Sequence, residues 1–212
     1  MKLALLTLVA LLSVPTLARA ETINFAGVGK SQVVTIAGLG SVYAGELNWN
    51  GLNQNFYSYC VDLWNYLQVQ QQVNVGSTDG MAGDSGHKAA WLFNKYAETI
   101  HGSTAAGSAA MAAGLQMAIW EVVADGTGNL SSGAFAISWA STEALGYANQ
   151  YLSALFAPGS GYQNAATTWL DVAPGTSGQD QIARVPEPAT LVLLGIGLFA
   201  AAMTVRRRPQ KA

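Results

Sequence analysis

Between residues 21 and 184 this 212-residue chain holds one cysteine (Cys60), two histidines (His87 and His101) and four basic side chains (Lys30, Lys88, Lys95 and Arg184). Each scarcity closes off a class of function. A lone cysteine has no partner for an intramolecular disulfide; in an exported chain it pairs between chains, stays free and oxidisable, or is consumed by other chemistry. One cysteine, two isolated histidines and scattered acids supply no metal-ligand spacing, so neither a metal nor another cofactor is expected. Eleven acids against four bases give the segment a net charge of −7, which basic ends hide within the −2 of the whole chain. Such a surface lacks the lysines and arginines that neutralise phosphate, so nucleic acid is not an expected partner. There is no internal repeat.

What is present begins at the two ends. Met1-Lys2, the apolar run Leu3 to Leu12 and the small-residue site Ala18-Arg19-Ala20 have the order of a secretory signal peptide cleaved before Glu21. At the far end stand Val185-Pro186-Glu187-Pro188, a 17-residue apolar stretch from Ala189 to Val205, and Arg206-Arg207-Arg208. That stretch is at the lower limit for spanning a bilayer, and the arginines behind it hold that end in the cytoplasm. The three parts together resemble the PEP-CTERM sorting signal of Gram-negative, exopolysaccharide-making bacteria. The resemblance implies a transient membrane anchor, capture by an exosortase and release of the preceding domain to the cell surface or matrix. The expected organisation is therefore a signal peptide at 1–20, one extracellular domain at 21–184 and a sorting signal at 185–212.

All six tryptophans fall in the middle segment, whose length suits a single domain with a real core. Its first third is strand-like: Ile23 to Ala26, Gln32 to Ala37 and Val42 to Trp49 are short β-prone runs, Asn50-Gly51 signals a turn, and a further strand is expected from about Phe56 to Tyr66. After a Gly- and Asp-rich loop at Gly76 to Gly86 the period becomes helical. Helices are expected from about Gly86 to Ile100, capped by Asp84 or Ser85, from about Ala105 to Ala124, closed by Asp125-Gly126, and after Ser141. Ala134 to Trp139 and Thr167 to Val172 return to strand. This order predicts an α+β fold, a β-sandwich or barrel with a helical insertion.

Within the fourth strand, period two puts Tyr57, Tyr59, Val61 and Leu63 on one face and Ser58, Cys60 and Asp62 on the other. Cys60 thus points away from the more apolar face, as suits a thiol that meets a group from another element. Downstream, Leu115-Gln116-Met117-Ala118-Ile119-Trp120 sets a glutamine in an apolar helix. Tyr59-Cys60-Val61-Asp62 on a strand, then Gln116-Met117-Ala118-Ile119-Trp120 on a helix, with Ala89 to Tyr96 between them, resembles the thioester domains of bacterial surface adhesins. In that family the cysteine sulfur and the glutamine carbonyl condense into an internal thioester with loss of ammonia. The resemblance implies a Cys60–Gln116 cross-link that an amine-bearing surface or matrix polymer opens once, a covalent tether rather than a turnover enzyme. Tyr59, Trp64 and Trp120 are candidates to shield it from water. Leu115 stands where adhesin versions often have threonine.

Two other readings compete. A cysteine hydrolase would use Cys60 as nucleophile with His87 or His101 as base, but no family-specific signature surrounds the cysteine. A non-covalent matrix- or polysaccharide-binding module would use exposed tryptophans and needs no thioester.

Overall fold

The computed structural model describes residues 20–185 and 197–198. Met1 to Arg19, Pro186, Glu187, Pro188, the rest of the apolar tail and Arg206, Arg207 and Arg208 lie outside the described residues, and with them the expected signal peptide and the greater part of the sorting signal. Among the described residues no helix is long and apolar enough to cross a membrane.

Seven strands and three α-helices follow in the order β1 (Glu21–Ile36), β2 (Gly40–Gly51), β3 (Gln54–Cys60), β4 (Gln70–Ser77), α1 (Ser85–Gly102), α2 (Ser108–Ala124), β5 (Ile137–Trp139), α3 (Thr142–Leu155), β6 (Thr168–Val172) and β7 (Gln181–Ala183). The ladder runs β2-β3-β7-β6-β4-β1, and β1 also pairs with β2. The sheet therefore closes into a six-stranded barrel, antiparallel at every seam, with β5 added beside the end of β1. Of the two architectures left open by the sequence, the chain adopts the barrel, and closure removes the free edges that an open sheet exposes.

The expected runs Ile23–Ala26 and Gln32–Ala37 are one strand, β1. The glycines between them make a bend rather than a turn: the β1–β2 register slips at Phe25/Gly27 and again at Val28/Ser31. Opposite the second slip, Gly45 has φ +142°, and a Cβ there would sit 2.2 Å from the Lys30 carbonyl oxygen. Only glycine fits so close an approach, and the bulge curls β1 far enough to pair on both sides of the barrel. The β2–β3 turn lies two residues beyond Asn50-Gly51. Gly51 pairs with Gln54, and Leu52 and Asn53 form the two-residue loop with φ values of 52° and 62°, the signature of a type I′ turn.

β3 ends at Cys60 instead of running to Tyr66. Asp62 stops it: its carboxylate accepts hydrogen bonds from the Trp64 and Asn65 backbone N–H groups and from Asn65 Nδ2, folding the chain into a side-chain-closed turn. Both faces of β3 are covered. Tyr57 and Tyr59 meet Phe93 of α1, and Tyr57 also stacks on His101 at 4.0 Å. On the other face Trp49 Nε1 donates to Ser58 Oγ (2.8 Å), which donates to Gln181 Oε1 (2.9 Å), a buried chain linking β2, β3 and β7. The polar face of β3 therefore lines the barrel interior rather than solvent.

The helices begin and end close to where their caps predict. Ser141 Oγ accepts from the Ala144 N–H at the start of α3, and Gly126, with φ +69°, follows the end of α2. α2 is not a one-sided stripe. Every residue from Ala112 to Val122 is buried, because α2 packs on β1, β2 and β3 and is also flanked by α1 and α3. A helix in that position must be apolar all round, which makes Gln116 within it conspicuous.

Candidate functional site

Gln116 is 1% exposed, and its carboxamide is bonded to the backbone of Cys60 at both ends. The Cys60 N–H donates to Gln116 Oε1 at 3.0 Å, and Gln116 Nε2 donates to the Cys60 carbonyl at 2.8 Å. Because one partner only donates and the other only accepts, the orientation of the amide is fixed by the pairing itself. The local topology explains why a side chain stands here. β2 pairs with β3 up to Leu47↔Ser58 and no further, while β7 holds the opposite side of Cys60 through Cys60↔Gln181. The peptide groups of Cys60 that β2 leaves open are buried, and an unpaired buried peptide is costly. The glutamine amide takes the place of a missing strand.

The sulfur of Cys60 is held by its own chain: Sγ donates to the Asp62 carbonyl at 2.9 Å and accepts from the Asp62 N–H at 3.3 Å. Burial pushes the thiol from an ordinary 9.0 up to about 12, against smaller lowering influences from the Asp62 backbone and from the Trp120 indole N–H beside it. That indole N–H satisfies no other partner. Cys60 is thus a neutral thiol at physiological pH.

A stability consequence follows from the shifted thiol. The folded thiol holds its proton to a higher pH than the unfolded one, so its contribution to stability is complete below about pH 9 and is lost as pH rises toward 12. Wild-type protein with Cys60 as a free thiol should lose stability relative to Cys60→Ala across that window, with a slope approaching about 1.4 kcal/mol per pH unit. Tyr57, Tyr59 and Tyr151, all raised by burial, titrate identically in both proteins and drop out of the difference. Parallel urea titrations at pH 8, 9, 10 and 11 measure it; a constant difference would mean that the thiol is more hydrated than its position implies.

Cys60, Gln116, Trp64 and Trp120 line one cavity of about 540 Å³ between the barrel mouth and the segment after β3. Trp120 is buried at its base, and Trp64, 60% exposed, stands at its rim. Tyr59, expected as a third shielding ring, is placed elsewhere. It lies on the opposite face of β3 against Phe93, as strand alternation requires of a neighbour of Cys60. Residues that the sequence does not single out complete the walls, among them Tyr43 and Gly45 of β2, Tyr66 and Gln179. Tyr43 lies in a run whose pattern signals only a strand, and Gln179 comes from a loop before β7 that carries no motif.

Neither histidine reaches this cavity. His87 Nδ1 lies 2.9 Å from the Ala165 carbonyl, and His101 Nδ1 lies 3.3 Å from Glu46 Oε2 on the far side of β3. Among the described residues, no group of three or more His, Cys, Asp or Glu side chains is arranged to hold a metal.

Comparison with known proteins gives two likenesses. Residues 184–208 match the PEP-CTERM protein-sorting motif. In shape, the chain is similar to the N-terminal thioester domain of the fibronectin-binding protein SfbI from Streptococcus pyogenes, with a TM-score of 0.45 and 11% identity over 81% of this chain and 97% of that one. No curated relative matches the chain in sequence. The sorting motif implies export, sorting to the Gram-negative envelope and processing by an exosortase.

Proposed function

We propose that this exported surface protein forms an internal thioester between Cys60 and Gln116 and uses it once, to attach covalently to an amine-bearing polymer of a neighbouring surface or biofilm matrix. The observation that carries the reading is the buried Gln116 carboxamide clamped across the backbone of the only cysteine, at the base of an open cavity. The clamp does three things that the condensation needs. It holds the amide carbon beside the residue that must attack it, which replaces a random encounter by a fixed geometry. The Cys60 N–H, already on Oε1, stabilises negative charge as the sulfur adds and the carbonyl oxygen becomes an oxyanion. The largely apolar walls give water few polar partners to order it for attack, which slows hydrolysis of the product.

In the condensation the Cys60 sulfur bonds to Gln116 Cδ, the C–N bond breaks, and Nε2 departs as ammonia carrying the thiol proton. Later an amine attacks the same carbon, forms an amide and expels sulfur, which takes up the amine's surplus proton.

The test is an intact-mass measurement on freshly purified protein. The mass should be lower than the sequence mass by one ammonia, and methylamine should add at Gln116 while exposing the Cys60 thiol to alkylation. Both signals should be absent in Cys60→Ala and in Gln116→Ala. A wild-type mass equal to the sequence mass, with a freely alkylated thiol and no glutamate at position 116, would falsify the proposal and leave non-covalent matrix binding as the function. In the same native material, the proposed processing would leave a chain that begins at Glu21 and lacks the residues beyond the Pro186-Glu187-Pro188 region.

A further inference from the structure

Resting on the thioester reading, we infer that the acceptor is the amine of a hexosamine unit in a saccharide chain, in preference to a lysine side chain. The cavity over Cys60 and Gln116 has no charged residue in its wall. Its rim carries three well-exposed aromatic rings: Tyr43 (62% exposed), Trp64 (60%) and Tyr66 (83%). Two amides, Asn65 and Gln179, stand among them. Asn65 uses its side-chain donor on Asp62, and Gln179 uses its own on the Asn65 carbonyl, so among the described residues both amide oxygens remain available as acceptors. Rings that meet the apolar face of a sugar and amides that meet its hydroxyls suit a neutral, hydroxyl-rich ligand.

The same walls disfavour lysine. Its amine is protonated at neutral pH, with about one molecule in a thousand neutral at pH 7.5, and an ammonium entering this cavity leaves water for a wall that carries no charged side chain. Asp62 and Asp180 lie outside that wall, where their carboxylates are turned to other partners: Asp62 accepts from two backbone N–H groups and Asn65 Nδ2, and Asp180 Oδ1 accepts from the Val172 N–H. A sugar amine is less basic, because the neighbouring hydroxyls and ring oxygen withdraw electrons. A larger share of it is neutral, able both to enter and to attack. The transfer is an acyl shift: nitrogen bonds to Gln116 Cδ, the C–S bond breaks, and the surplus ammonium proton passes to Cys60 sulfur.

The full exported protein is treated at pH 7.5 with a glucosamine oligosaccharide, with an N-terminally acetylated lysine peptide at equal amine concentration and with methylamine, and adducts are followed by intact mass. The oligosaccharide should react at least about tenfold faster than the peptide, in the direction set by its larger neutral fraction and its contacts with the rim. The ratio of oligosaccharide to methylamine rate should fall about fivefold in Trp64→Ala and in Tyr66→Ala, each losing one aromatic contact. Equal or faster reaction with the peptide, or a ratio unchanged in both variants, would overturn the inference. Methylamine reports the thioester independently. Should it add nothing, the saccharide claim is decided by titrating Cys60→Ala with the N-acetylated oligosaccharide: quenching or shift of tryptophan fluorescence that disappears in Cys60→Ala/Trp64→Ala upholds saccharide recognition, and no spectral change refutes it.

Discussion

Gln116→Ala should cost about 2–4 kcal/mol of folding stability, and Cys60→Ala only about 1 kcal/mol, although both abolish the proposed cross-link. Alanine at position 60 retains the peptide N–H and carbonyl and removes one buried sulfur, which behaves in a core as a small apolar group. Alanine at position 116 instead orphans both Cys60 peptide groups on the side of β3 where its pairing with β2 has already ended. Measuring Gln116→Ala in a Cys60→Ala background, by urea unfolding, isolates the clamp from any covalent bond. A double variant as stable as Cys60→Ala would show that water replaces the amide at no cost, and the view of Gln116 as a substitute strand would fail.

Gly114→Leu should cost a comparable amount, about 3 kcal/mol or more, despite a gain in helix propensity of about 1 kcal/mol. α2 crosses α3 at this residue. A Cβ on Gly114 would lie 2.6 Å from Tyr147 Cβ and 2.9 Å from both the Ala144 carbonyl oxygen and the Ala148 nitrogen. Two of those atoms are backbone, so the helices must separate, and α2 cannot move without carrying Gln116 away from β3. The expected result is a lowered urea midpoint together with loss of methylamine incorporation in the fraction that folds. An unchanged midpoint would mean that the helices part without cost and that the crossing does not position the amide.

The barrel-plus-helices architecture is legible in the sequence where apolar periods are strong and caps are present: the three helices, β2 and β6 all lie close to their expected places. What escapes does so for physical reasons. β4 contains Gln70-Gln71-Gln72-Val73-Asn74-Val75, in which only two residues advertise a buried strand. Gln71 is buried there because its amide satisfies the Gln68 and Gln179 backbone groups, a compensation invisible in a sequence window. β7 is three residues long, too short to carry a period. Flanking residues single out the Cys60 and Gln116 pair, and the structure brings the two together. Their mode of contact is not legible, because side chain to backbone pairing depends on where β2 parts from β3, a property of the whole barrel. Tyr59 is misassigned by proximity along the chain, which in a strand places a residue on the wrong side.

The two hydrogen bonds of the Gln116 amide have different fates. One runs through Oε1, which remains when a thioester forms, and the other through Nε2, which is the atom expelled. If water later opens the bond, position 116 carries a carboxylate, whose oxygen faces the Cys60 carbonyl where a donor had been. The protein then has no nitrogen with which to set the bond again and a repulsive pair where an attractive one stood. Under the proposed chemistry each molecule would keep a permanent record of its history: intact amide, armed, captured or hydrolysed. The proportions of these four forms in material taken from a living culture would date the population as a clock does, with the hydrolysed fraction measuring time elapsed without an encounter.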